Sequence, residues 1–175
     1  MPHAIILYFD PATEARLDRI QETLLPLVED PFYKGARPHI SLTGFDESPP
    51  PELIPTLRNF AQSIAALELT LGSVGVFPGE QAVVFLSPVV TPTLLEVHNR
   101  LHTLLQPMNI QMNPYFLPGN WVPHSTMAMR MNPAAVPEAV MVCLQSGAFG
   151  SARLIELGLV QFPPVEEVAL FPLSG

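Results

Sequence analysis

Hydrophobic and polar positions along this chain follow two rhythms, one of period two and one of period three to four, in a recurring order. Residues 4–9 are continuously apolar and predict a buried strand. Asp10-Pro11 then predicts a helix start, with the aspartate as cap and proline at the first helical position. Leu17, Ile20, Leu24 and Leu27 recur at helical spacing over 11–28. A polar loop over 29–36 leads into 37–45, Arg-Pro-His-Ile-Ser-Leu-Thr-Gly-Phe, where polar and apolar residues alternate as in a strand with one face on a core. Pro49, Pro50 and Pro51 open a second helix reaching about residue 66, striped by Leu53, Leu57, Phe60 and Ile64. A strand over 67–77 follows, in which Gly72 and Gly75 leave room for a bulge or bend.

After a turn at 78–80 the order repeats. A strand is predicted over 82–86 and a helix over 91–106, again opened by a capping residue and a proline. A loop over 107–122 leads to a second alternating strand at 123–130, then a helix over 134–145 with Asn132-Pro133 as the cap and proline before it, and strands over 152–162 and 167–171. Each half runs strand, helix, histidine-bearing strand, helix, strand. The pattern predicts one α+β domain over residues 1–175: a bilobal, duplicated fold of two antiparallel sheets flanked by helices. The histidine strands then lie side by side about a pseudo-twofold axis, in a cleft between the lobes.

The polar face of each of those strands is unusual. Arg37, His39, Ser41 and Thr43 are predicted to share one face, with Ile40 and Leu42 on the other; His124, Thr126 and Arg130 share a face with Ala128. Both strands are entered through a proline, and both carry histidine, any residue, a hydroxyl, then an apolar residue. Two imidazoles titrating near neutrality divide acid and base work. A hydroxyl two residues along the strand holds a phosphoryl oxygen or orients the ring, and Arg37 and Arg130 are candidates to neutralise a phosphate. Such a site requires no metal and no cofactor.

Composition narrows the substrate. Of 175 residues, 48% are hydrophobic and 14% charged, with a net charge of −8, which argues against a broad nucleic-acid surface but not against one phosphate in a cleft. No apolar run reaches membrane-spanning length. The N-terminus reads as a strand and not a signal peptide, and the single cysteine, Cys143, fits a reducing cytoplasm. The loop over 107–122 holds Tyr115, Phe116 and Trp121, which serve either as a stacking lid on the substrate or as an apolar plug. His98 and His102 have i,i+4 spacing but no acidic partner, so they are expected on an exposed helix face rather than on a metal, and His3 is expected to be solvated.

His39-Ile40-Ser41-Leu42 and His124-Ser125-Thr126-Met127 resemble the paired motifs of the two-histidine phosphoesterase superfamily, which includes RNA 2′,5′-ligases and cyclic nucleotide phosphodiesterases. The order of elements resembles that family over nearly the whole chain. The resemblance implies metal-independent opening of a 2′,3′-cyclic or related cyclic phosphate. His39 and His124 are then the acid–base pair, and Ser41 and Thr126 the phosphate-binding hydroxyls. It implies a small cyclic phosphate, nucleotide or short RNA end as partner; the low content of basic residues makes long RNA unexpected, and a monomer is expected. The alternative is a nucleotide-binding module of the same fold with little or no turnover.

Overall fold

The computed structural model describes residues 2–29 and 35–175, so most of the loop expected over 29–36 lies outside the described residues. Strand β1 (His3–Phe9) runs into helix α1 (Pro11–Leu24), and a single 3-10 turn (Leu25–Leu27) closes that helix. Next come β2 (His39–Phe45), α2 (Leu53–Gln62) and β3 (Leu67–Phe77). The second half is β4 (Ala82–Pro88), α3 (Pro92–Leu105), β5 (Ser125–Met131), α4 (Val136–Gln145) and β6 (Gly150–Gln161), with β7 (Glu166–Pro172) after it. Among the described residues no helix is long and apolar enough to cross a membrane.

The predicted caps form. Asp10 Oδ1 accepts from the backbone N–H groups of Ala12 and Thr13 at 3.0 and 3.1 Å. Thr91 Oγ1 accepts from Leu94 N at 3.2 Å, and Asn132 Oδ1 from Ala134 N at 2.9 Å. Each cap satisfies donors that the first helical turn leaves without partners. The apolar stripes are buried as their spacing requires: Leu17, Ile20 and Leu24 on α1, and Leu53, Leu57 and Phe60 on α2.

All ladders are antiparallel, in the order β2-β1-β6-β3-β4-β5, with β7 on the free side of β6. The two sheets expected from the sequence are therefore joined into one hydrogen-bonded sheet, because β6 is long enough to serve both lobes. Its first part, from Gly150 to Leu154, pairs with β3, while its later part pairs with β1 and β7. Near Gly72 the β3 register shifts, and there the strand passes from β6 to β4. The order reads the same from either end under the exchange of β1 with β4, β2 with β5 and β6 with β3. That is the arrangement a duplicated chain produces when the third strand of each half crosses into the other lobe. The terminal strands β2 and β5 come into contact, so the sheet curls and brings the two histidine strands face to face.

α3 differs from its predicted role. His98 and His102 are 1% and 3% exposed and not on a solvent face. Their rings lie 4.4 Å apart, and His98 stacks flat on Trp121 at 4.0 Å. His98 Nε2–H donates to Phe116 O at 2.9 Å, and His102 Nε2–H donates to Leu42 O at 3.2 Å. Carbonyls of a strand edge and a loop need donors, and these neutral imidazoles supply them. His3 is also buried, at 6% exposure, and stacks on Phe45 at 5.4 Å.

Burial and the His102 charge lower the pKa of His98 to about 4, and burial lowers that of His102. His98 stays neutral in the folded chain down to about pH 4 but is protonated below about pH 6.5 when unfolded, and the lowered His102 acts in the same direction, so the unfolded chain binds more protons as the pH falls. Stability is thus full above pH 6.5 and declines below it. Between pH 7 and pH 5, His98 alone is expected to remove on the order of 1–2 kcal/mol. Urea unfolding midpoints measured at both pH values should show this loss, and His98→Gln should reduce it; an unchanged pH dependence in the variant would contradict the assignment.

Candidate active site

The histidine strands are built on a pair of matched β-bulges. In β2, Ile5 faces Thr43 and Ile6 faces Ser41, leaving Leu42 as the extra residue. In β5, Val84 faces Ala128 and Phe85 faces Thr126, leaving Met127 as the extra residue. Leu42 and Met127 are the fourth residues of the two motifs. At each bulge two consecutive residues turn inward: Leu42 and Thr43, and Met127 and Ala128, are all fully buried. The alternation then reverses, so the cleft face reads His39, Ser41, Gly44 on one strand and His124, Thr126, Met129 on the other.

This slip corrects two expectations from simple alternation. Thr43 does not join His39 and Ser41 but lies in the core. Arg130 does not share the face of His124; Met129 takes that place, and Arg130 sits at φ 56°, where the bulged strand bends. Its carbonyl accepts from Glu29 N at 3.2 Å.

His39, Ser41, His124 and Thr126 line one cavity of about 610 Å³, a size typical of small-molecule sites. A wider groove of about 930 Å³ lies between α2 and α3, but it holds none of the candidate site residues. The cavity floor is the second face of β1, where Ala4, Ile6 and Tyr8 form a small apolar cluster with Val160, apart from the main core. β1 thus packs Ile5, Leu7 and Phe9 against the helices and gives its other face to the cleft.

Both imidazoles are held the same way. His39 Nδ1 lies 2.7 Å from Arg37 O, and His124 Nδ1 lies 2.7 Å from Val122 O. A carbonyl only accepts, so each Nδ1 carries the proton and each Nε2 is left to the cavity. The intervening residues are Pro38 and Pro123, which hold the residue before them extended and carry no N–H of their own. Aromatic rings set the other side of each imidazole. Tyr8 meets His39 edge-on at 6.2 Å, and Phe77 and Phe85 meet His124 at 4.9 and 5.1 Å. Both inner rings lie over a glycine: Tyr8 over Gly158, where a Cβ would come within 2.8 Å of it, and Phe85 where a Cβ on Gly75 would stand. Burial lowers the pKa of both motif histidines; the Arg37 carbonyl opposes this for His39, and the charge of His124 adds to it.

The other sequence candidates divide. Arg37 reaches the cavity wall, but its guanidinium is committed to carboxylates: Nε and Nη2 to Glu14, both at 3.0 Å, and Nη1 to Glu156 at 3.1 Å and Glu167 at 3.3 Å. Of the loop aromatics, Phe116 lines the cavity with Met112, Asn113 and Pro114. Tyr115 is 81% exposed. Trp121 turns away from the cavity, stacks on His98, and its Nε1–H donates to Ser41 O at 2.9 Å. The loop is thus both things the sequence allowed: wall at Phe116, packing at Trp121. Tyr8, Met129 and Phe85 were missed. The only available sign was the apolar fourth position of each motif, which marks the bulge.

The fold is shared with several solved structures. Escherichia coli LigT in complex with 3'-AMP superposes with a TM-score of 0.67 at 16% identity over all of both chains. TT0787 of Thermus thermophilus gives 0.65 at 19% identity, covering 100% of this chain and 99% of the other. Usb1 of Kluyveromyces marxianus gives 0.56 at 12% identity, covering 98% of each. No curated protein sequence matches. At these identities the likeness establishes the fold, and a sequence profile reaches further, since that of the 2'-5' RNA ligase superfamily matches residues 9–162. With most of its length and both histidine motifs inside that match, the chain belongs to the 2'-5' RNA ligase superfamily, the two-histidine phosphoesterases.

Proposed function

We propose that this protein is a metal-independent phosphodiesterase that opens a 2′,3′-cyclic or related cyclic phosphate on a nucleotide or short RNA end. The observation that carries the reading is the matched pair of imidazoles. Each has its Nδ1 proton given to the backbone, and they share one cavity with Ser41 and Thr126. Solved structures of E. coli LigT in complex with 3'-AMP, NADP+ and ATP support a nucleotide as the kind of ligand such a cavity takes.

One histidine begins with a free Nε2 lone pair and the other with an Nε2 proton. The first removes a proton from water as the water oxygen attacks phosphorus. The ring P–O bond opposite breaks, and the second histidine protonates the departing ribose oxygen. A phosphomonoester and one new hydroxyl result, and the pair ends with its protonation exchanged. Ser41 and Thr126 donate to the non-bridging oxygens, where charge builds in the transition state. With Arg37 tied to carboxylates and Arg130 off the cleft face, the protonated histidine is the main positive partner we assign to the phosphate. Cys143 is buried and takes no part; a lone buried cysteine fits the reducing cytoplasm in which we place the protein.

His39→Ala and His124→Ala should each lower turnover of a nucleoside 2′,3′-cyclic phosphate by roughly two to four orders of magnitude. Chromatographic assay of the opened product checks this, and near-full activity in both folded variants would remove the assignment. Cyclic phosphate that binds without being opened by the wild type would favour the binding module instead.

The pH profile has a definite sign. Both free histidines titrate below the ordinary value of 6.5, so the singly protonated pair is most populated on the acid side of it. The optimum of kcat/KM should therefore lie below pH 6.5. A bound anionic phosphate favours the charged ring and should move the optimum of kcat to higher pH. A kcat/KM optimum above about pH 7.5 would contradict the depressed values.

Phe116 and Trp121 are expected to part company. If Phe116 stacks on a base, Phe116→Ala should weaken nucleoside substrates by about 1–3 kcal/mol relative to a cyclic phosphate that carries no base. Trp121→Phe, which keeps the stack on His98 and loses the bond to Ser41 O, should affect both substrates alike. Equal losses from Phe116→Ala on both substrates would make Phe116 a packing residue only.

A further inference from the structure

The commitment of Arg37 leaves its purpose to be found. Its guanidinium joins three elements, through Glu14 on α1, Glu156 on β6 and Glu167 on β7. It lies 3.9 Å above the Tyr8 ring, and Tyr8 is the residue paired with His39 across the β1–β2 ladder. Burial, with the Glu167 carboxylate beside the phenol, raises the Tyr8 pKa. The backbone carbonyl of Arg37 is the acceptor for His39 Nδ1–H.

That carbonyl stands just outside the sheet. The ladder between β1 and β2 ends at the pair Tyr8 and His39. Arg37 has no ladder partner there, and Pro38 between them has no N–H to offer. The position of the acceptor therefore depends on what holds Arg37, and the residue is held by its own side chain. A planar, bidentate fork on Glu14 with two further carboxylates behind it sets position and orientation together, as a single point charge does not.

We propose that Arg37 is a positioning residue for His39: the three-carboxylate clamp on its guanidinium fixes the carbonyl that holds His39 in the Nδ1–H form and turns Nε2 to the cleft. This rests on the acid–base role of His39 for its kinetic consequences, but not for its structural one. The second half does the same work by other means. Val122 O, the acceptor for His124, follows directly on Trp121, which is anchored by stacking on His98 and by its bond to Ser41 O. The clamp therefore acts on one histidine of the pair and leaves the other as an internal control.

Two variants separate positioning from phosphate binding: Arg37→Lys, which keeps the charge and loses the fork, and Glu14→Gln/Glu167→Gln, which loosens the clamp and leaves the arginine. Nitrogen-15 ring spectra of the histidines at about pH 7, where the neutral tautomers prevail, report the tautomer directly. In both variants the His39 signal should move from Nδ1–H toward a mixture with Nε2–H, while the His124 signal stays as in the wild type and shows that the fold is intact. With a nucleoside 2′,3′-cyclic phosphate, kcat should fall roughly 10- to 100-fold in both, with KM within about twofold. A phosphate-binding Arg37 makes the opposite pattern: Arg37→Lys raises KM, and Glu14→Gln/Glu167→Gln lowers it by releasing the guanidinium. That pattern, or an unmoved His39 signal in both variants, would overturn the proposal. If the wild type opens no cyclic phosphate, the proposed activity fails, and the tautomer spectra still decide the role of Arg37.

Discussion

Each motif histidine gives its Nδ1 proton to the carbonyl two residues before it, across a proline, and the cleft depends on that bond. An imidazole alone divides its proton between two nitrogens and turns about two side-chain torsions. The carbonyl of Arg37 on one strand and of Val122 on the other removes both freedoms. What remains is a single ring nitrogen on each strand, aimed at a shared volume. The prolines, the aromatic rings at Tyr8 and Phe85, the glycines beneath them and the stack on Trp121 hold the two carbonyls and the two rings in place.

The curled sheet makes that geometry possible. β2 and β5 are the two ends of the strand path, and as edges they expose backbone groups that need partners. On β2 the partners come from the long loop and α3: Asn113 N to Gly44 O at 2.8 Å, Trp121 Nε1 to Ser41 O and His102 Nε2 to Leu42 O. On β5 they come from α1 and the residues after it, with Gln21 Nε2 donating to Thr126 O at 2.8 Å and Glu29 N to Arg130 O. Edge protection and site assembly are thus the same contacts. Residues far from chemistry, such as His102 and Gln21, carry the strands that carry the histidines.

Local rules were legible where they act locally. The caps at Asp10, Thr91 and Asn132 follow from one side chain and the next few N–H groups, and all three form as read. Element order and the buried stripes of α1 and α2 follow from periodicity, since a helix with one apolar face has one way to bury it. The readings that the structure corrects have two causes. Counting twos along a strand places Thr43 and Arg130 on the cleft face, but the bulges at Leu42 and Met127 reverse the count, and β5 slips a second time between Ala128 and Met131, where Arg130 lies. His98 and His102 were read as exposed because a helix pattern does not show that a carbonyl of another strand waits opposite.

The sequence by itself determined the duplicated order of elements, the two motifs and the family to which they belong, because these are carried by spacing and residue type along the chain. The tertiary structure alone decided which arginine faces what. Arg37 was read as open to phosphate, yet Glu14, Glu156 and Glu167 converge on it from three elements far apart in sequence. The sequence leaves Trp121 as either lid or plug, and the structure places it behind the strand, bonded to a carbonyl eighty residues away. A charge or a ring takes its role from the partners brought to it. Those partners are set by the curl of the sheet and the bulges that reverse its faces, and no period along the chain records them.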